Sequence, residues 1–174
     1  IAYWGSFTAT YAPVETLCRL FYESIQPEDI VGLALGTRPD CLGEDVLALL
    51  SELNQIKPVS VELGLQTAKE ETARYIRRGY ELPVYLDAVK KLKSRGLEVV
   101  THIILGLPGE SLEDMISTTR VAVQAGTDGV KFHLLHVLKN TDLAEEYAQG
   151  KFECMTLEQY AACLKACLAI LPEH

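Results

Sequence analysis

The sequence predicts an α/β fold: parallel strands covered by helices, forming a partial, open TIM-type barrel. Three observations carry that prediction. Short apolar runs alternate with helical stretches along the 174 residues. The runs are apolar on both faces, as parallel strands flanked by helices must be. They also end in residues that a buried strand does not need: Gly64 and Gln66; Gly106, Pro108 and Gly109; His133 and His136. In parallel barrels the carboxyl ends of the strands carry the ligands. A doubly wound sheet is the second arrangement that the alternation allows.

Residues 1–5 read as a strand ending at Gly5. Val14, Leu17, Cys18, Leu20, Phe21 and Ile25 recur at helical spacing after Pro13, which predicts a helix over 14–25. The run 29–36 is a buried strand and 37–41 the loop after it. Acidic residues open a helix over 43–54, as the helix dipole favours. A strand follows at 59–65, then a helix over 69–79 for which Gly79 supplies the C-terminal cap. The next helix, 83–96, has Pro83 early and Gly96 late. Strand 98–105, helix 112–125 with Gly126 behind it, and strand 129–135 come next, and helices 142–149 and 157–171 finish the chain.

The length and the 48% hydrophobic content fit one domain over 1–174 with a sizeable core. No apolar run approaches the ~18 residues of a membrane span, and no signal peptide is visible. A cytoplasmic location without membrane contact is the expectation. The chain opens at Ile1, without methionine and in mid-strand, so the reading expects a piece of a longer chain truncated at its N-terminal strand. A net charge of −8 disfavours general binding to a phosphate backbone. The basic residues between Lys69 and Arg95 read as solvated helical faces. Five cysteines, no CxxC and no secretory signal indicate reduced thiols. Cys163 and Cys167 share a helix face and read as small core residues; a metal pair there lacks further ligands.

Four segments can carry chemistry. In 104–111, Gly106 and Gly109 admit a ligand close to the backbone, Pro108 stiffens the turn, and Glu110 and Ser111 stand at a helix start. A tight turn and a phosphate site are the two readings, and Glu110 already places a carboxylate where the anion would lie. In 62–67, alternation puts Glu62, Gly64 and Gln66 on one face. A carboxylate and an amide on a buried strand need partners: each other, the barrel wall, or a ribose or amino-acid group. Arg38 directly follows a strand and can clamp a carboxylate, or pair with Asp40 or Glu62. Gly5, Ser6 and Thr8 end the first strand with small hydrogen-bonding groups. His102, His133 and His136 are three imidazoles near neighbouring strands, but His102 lies too early in its strand to join His136. They read as core or surface histidines, and no metal site is assigned.

Together, ELGLQT (62–67), RRGY (77–80), GLPGES (106–111) and TRPD (37–40) resemble the radical S-adenosylmethionine (radical SAM) enzymes. The likeness is to the branch of oxygen-independent coproporphyrinogen oxidase and the catalytic subunit of elongator, and runs from Ile1 to about residue 140. The resemblance implies S-adenosylmethionine beside a [4Fe–4S] cluster, generation of a 5′-deoxyadenosyl radical, and modification of a substrate. The elongator likeness implies a tRNA base as that substrate. It assigns Gly5, Ser6, Phe7 and Thr8 to the methionine amino group, where the family usually has two glycines and a glutamate. It assigns Arg38 to the methionine carboxylate, and Glu62 and Gln66 to the ribose and methionine moiety. Ile104, Gly106 and Pro108 would support the adenine, and the backbone at His133 and Leu134 would read its edge. The cluster needs a CxxxCxxC loop, which this sequence lacks. The expectation is that its ligands lie upstream of Ile1 and that residues 1–174 alone are inactive. The rival expectations are a phosphate-binding barrel enzyme and a binding-only domain without a cluster.

Overall fold

The computed structural model describes residues 1–5 and 7–172. Five parallel strands form one sheet in sequential order: β1 (Ala2–Trp4), β2 (Leu33–Thr37), β3 (Val59–Gln66), β4 (Glu98–Leu105) and β5 (Gly129–Leu134). Each connection carries helix: α1 (Val14–Ile25), α2 (Glu44–Ile56), the pair α3 (Glu70–Tyr75) and α4 (Leu82–Ser94), then α5 (Leu112–Ala125). α6 (Asp142–Ala148) and α7 (Leu157–Leu168) follow β5. This is the parallel α/β arrangement expected of an open partial barrel.

The period of two decides which face is which. Val59, Val61, Leu63 and Leu65 are buried, as are Val99, Thr101, Ile103 and Leu105 in the neighbouring strand. They meet Leu17, Phe21, Leu47, Leu50, Leu53, Val89 and Leu92 from the helices in one core. The alternate residues, including Glu62, Gly64, His102 and Ile104, remain half-buried on the open face of the sheet. β5 buries no residue, and among the described residues it pairs with β4 alone. Among the described residues no helix is long and apolar enough to cross a membrane. Cys163 and Cys167 lie buried in α7, as small core residues.

Several details depart from the sequence reading, and three of them shape the loops. β2 begins at Leu33 rather than at residue 29, because Ile30 closes a turn on the carbonyl of Pro27. The loop after β2 contains a short 3₁₀ turn, Pro39–Cys41. The helix expected to reach Gly79 stops at Tyr75. Arg77, not a glycine, takes the left-handed conformation (φ 56°), while the amides of Arg77 and Arg78 bond back to the carbonyls of Arg74 and Ala73. That is a Schellman closure.

Candidate functional site

The carboxyl ends of β1, β2 and β3 open onto a cleft of about 250 Å³ lined by Gly5, Phe7, Thr8, Gly36, Thr37, Arg38, Glu62, Gly64, Gln66, Tyr80 and His102. Its floor depends on missing side chains. A Cβ on Gly5 would stand 1.9 Å from the Tyr3 ring, and one on Gly64 would stand 2.7 Å from the Gln66 amide nitrogen. Beyond Gly64 the register with β4 slips, and Gln66 takes a φ of 64°. Tyr80 covers this bulge: its hydroxyl donates to the Gly64 carbonyl, and burial pushes its pKa up to about 12. The guanidinium carbons of Arg78 and Arg38 lie 4.8 and 5.5 Å from the centre of its ring.

Arg38 binds Asp40 in a two-pronged ion pair, Nε to Oδ1 at 2.9 Å and Nη2 to Oδ2 at 2.7 Å. Hydrogen bonding to this guanidinium holds the Asp40 carboxyl below its ordinary range. The Arg38 side chain stays 44% exposed on the cleft.

Glu62 is the centre of the open face. It accepts from Tyr3 Oη (3.0 Å), His102 Nε2 (2.9 Å) and Lys131 Nζ (2.9 Å to each oxygen). Burial would raise its pKa, but the bonds from Lys131 and Tyr3 and the proximity of His102 outweigh burial and hold it below the ordinary value. Burial lowers the pKa of both His102 and His133, so both are neutral at pH 7. His133 Nε2 lies 3.1 Å from His102 Nδ1.

Of the residues named from the sequence, Gly5, Phe7, Thr8, Arg38, Glu62 and Gln66 share the cleft. Ser6 lies outside the described residues. Gly106 and Pro108 line a different hollow of about 520 Å³ between the β4–α5 turn and the segment around Met155. Ile104 and His133 are register partners on the open face, whereas Leu134 pairs with Leu105 on the helix-covered side. His102 was expected to lie too early in its strand to join His136; its ring meets instead that of His133, 4.9 Å away, because the register sets His133 two residues beyond Lys131, the partner of His102. Among the described residues no group of three or more His, Cys, Asp or Glu could hold a metal ion. Tyr80 entered the sequence reading only as the last residue of RRGY, and Tyr3 and Lys131 were not among the expected site residues. The signal for Lys131 was available: alternation in GVKFHL sets a charged lysine beside His133 on one face of an apolar strand.

The model of the radical SAM superfamily matches residues 6–122, and that of the radical SAM C-terminal domain matches 127–174. The chain belongs to the radical SAM superfamily. Membership implies S-adenosylmethionine and a [4Fe–4S] cluster as the family's cofactors, and the chain carries a radical SAM enzyme core. It is 41% identical over 172 residues to the uncharacterized protein YtqA of Bacillus subtilis, covering 99% of this chain and 53% of that protein. It is 28% identical over 146 residues to the tRNA uridine(34) acetyltransferase of Methanocaldococcus jannaschii, covering 82% of this chain and 26% of that enzyme. The fold is shared with Methanocaldococcus infernus Elp3 (TM-score 0.82, 22% identity, 98% of this chain and 45% of that one). It is also shared with Escherichia coli coproporphyrinogen III oxidase HemN (TM-score 0.74, 20% identity, 96% and 38%). The chain spans about half the length of curated relatives such as YtqA.

Proposed function

We propose that residues 1–174 act as one unit, the S-adenosylmethionine-holding wall of a radical SAM enzyme. The observation behind this reading is the cleft, where Gly5, Thr8, Arg38 and Gln66 converge from three strand ends. Their chemistry fits an amino acid joined to a nucleoside. A planar guanidinium matches a carboxylate in two-pronged fashion. A neutral amide offers both donors and acceptors to hydroxyls. Asp40 now occupies Arg38 as a ligand's carboxylate would, so binding exchanges one carboxylate for another. Ile104, Gly106, Pro108 and the backbone at His133 and Leu134 are assigned to the adenine side, and Glu62 organises the face between.

When bound, the cofactor supplies the radical that removes hydrogen from a substrate, while the protein orients and shields it. The described residues do not fit a [4Fe–4S] cluster, having no group of three or more ligands for it. A tRNA base is the substrate class we favour, supported by the likeness to proteins named tRNA uridine(34) acetyltransferase. The phosphate-site alternative loses ground, because the N-terminus of α5 is already capped by Ser111 and the Asp114 carboxylate.

Calorimetric titration of S-adenosylmethionine into the whole protein tests the reading, with iron content checked in parallel. One-to-one binding that weakens in Arg38→Ala supports it. Wild-type affinity in both Arg38→Ala and Gln66→Ala removes the cleft from the cofactor site.

A further inference from the structure

Proton positions on the open face follow from the hydrogen bonds once both rings are neutral. Glu62 accepts four contacts from three donors as a carboxylate, so His102 must present an N–H from Nε2. A neutral imidazole carries one N–H, so His102 Nδ1 is a lone pair. That lone pair faces His133 Nε2 at 3.1 Å, which must therefore carry the proton of the second ring. His133 Nδ1 is then a lone pair too, with no hydrogen-bond partner among the described residues. The ring is only half-buried.

We infer that Glu62, His102 and His133 form an ordered chain that makes His133 Nδ1 a proton acceptor on the open face, serving a substrate group with an ionisable N–H or O–H. The inference rests on the proposed function, and adds to it that substrate lies against the β3–β5 part of the open face, beside the cofactor cleft. In the step, the substrate's N–H or O–H bond breaks heterolytically and its electron pair stays on the substrate atom. The proton binds His133 Nδ1, giving an imidazolium. That cation keeps Nε2–H donated to His102, which the Glu62 carboxylate polarises in turn. Glu62 and His102 are positioning residues, and the orienting logic is that of any base held in one tautomer by a carboxylate. The charged and titratable groups that face the pair are Lys131 and His136, which oppose the imidazolium, and Glu62, which favours it. Tyr3 completes the cluster through Glu62.

The test needs no substrate. Long-range ¹H–¹⁵N correlation on the whole, cofactor-free protein reads which nitrogen of each ring is protonated. Both rings are expected as Nε2–H, and an Nδ1–H form of either overturns the chain. Diethyl pyrocarbonate, which acylates unprotonated imidazole nitrogens, then probes access, with sites located by mass spectrometry. His133 should react before His102, whose nitrogens are both engaged; equal reactivity overturns the assignment. His102→Asn should release His133 into a mixture of tautomers, and Glu62→Gln should slow its acylation by about threefold to tenfold. Where Glu62→Gln fails to fold, by circular dichroism, His102→Asn alone decides. Binding of S-adenosylmethionine, titrated separately, tells a failed cofactor reading from a failed proton acceptor. Continued acylation of His133 with S-adenosylmethionine bound supports an acceptor open to substrate, and complete protection by the cofactor overturns it.

Discussion

At Gln66 the backbone sits at φ 64°, a region that residues with a Cβ enter at a cost. Thr67 N–H closes on the Leu65 carbonyl at 2.8 Å, a three-residue turn centred on Gln66. Such a turn persists only where the surroundings over-determine it. Here Arg78 holds the carbonyls of Leu65 and Thr67, and Tyr80 holds that of Gly64. The turn swings the amide into the cleft. Replacing Gln66 by alanine should weaken S-adenosylmethionine binding by about 1–3 kcal/mol, roughly tenfold to a hundredfold. Pro108→Ala, which removes no hydrogen bond, should change it less; titration of both variants in the whole protein checks the contrast. Gly64→Ala makes a sharper case. Its Cβ would meet the movable end of Gln66 and, at 3.3 Å, the Tyr80 hydroxyl. The expected protein is folded, with a melting temperature close to wild type, yet has lost affinity as Gln66→Ala does. A large drop in melting temperature would instead place the damage in the backbone.

Among the elements, the turn after α3 is the one that builds the cleft wall. Arg78 is 2% exposed along its side chain. It donates to Leu65 O, Thr67 O and Tyr80 O and pairs with Glu70. Glu70 also accepts from the Leu82 amide at the start of α4. One guanidinium therefore ties the end of β3 to both helices that follow. Arg78→Met would leave three carbonyls and a carboxylate short of donors, at a cost of about 3 kcal/mol. Lysine should not rescue it, since one ammonium cannot span the fork. Urea unfolding of the two variants measures this, and a loss confined to a few tenths of a kcal/mol for Arg78→Lys would contradict it.

For the molecule as a whole, pH is the lever. The folded pKa of His102 lies below the ordinary 6.5 because burial disfavours the imidazolium, and His133 behaves likewise. The unfolded chain therefore binds more protons as the pH falls through 6.5. The stability present above that value is lost as the pH drops through the depressed folded pKa. Glu62, held below its ordinary 4.5, adds a second loss at lower pH. Glu110, raised by burial, runs the other way and loses stability as the pH climbs from 4.5 through its folded value. Denaturation midpoints should fall between about pH 7.5 and about pH 5.5, and His102→Gln should flatten that slope. At the same scale, residues 1–174 reconstituted anaerobically should hold no stoichiometric [4Fe–4S] cluster by iron and sulfide analysis. A full cluster would mean that the chain's own cysteines are ligands.

Strand and helix order was legible because apolar runs and the helical period survive without neighbours, although β3 and β4 bury one face only, not the two apolar faces expected. Polar Gln66 and Arg38 at strand ends were legible for the same reason: an apolar strand has no use for an amide, nor its end for a guanidinium. What Arg38 binds was not legible, since Asp40 and Glu62 were equal candidates until the 3₁₀ turn carried Asp40 onto the guanidinium. The helix stop at Tyr75 was hidden because Arg77 adopted a conformation that glycine usually marks. The chain from Glu62 through His102 to His133 came only with the tertiary structure. Residues 62, 102 and 133 are joined by register across three strands, and alternation within a strand fixes a face but no distance across it.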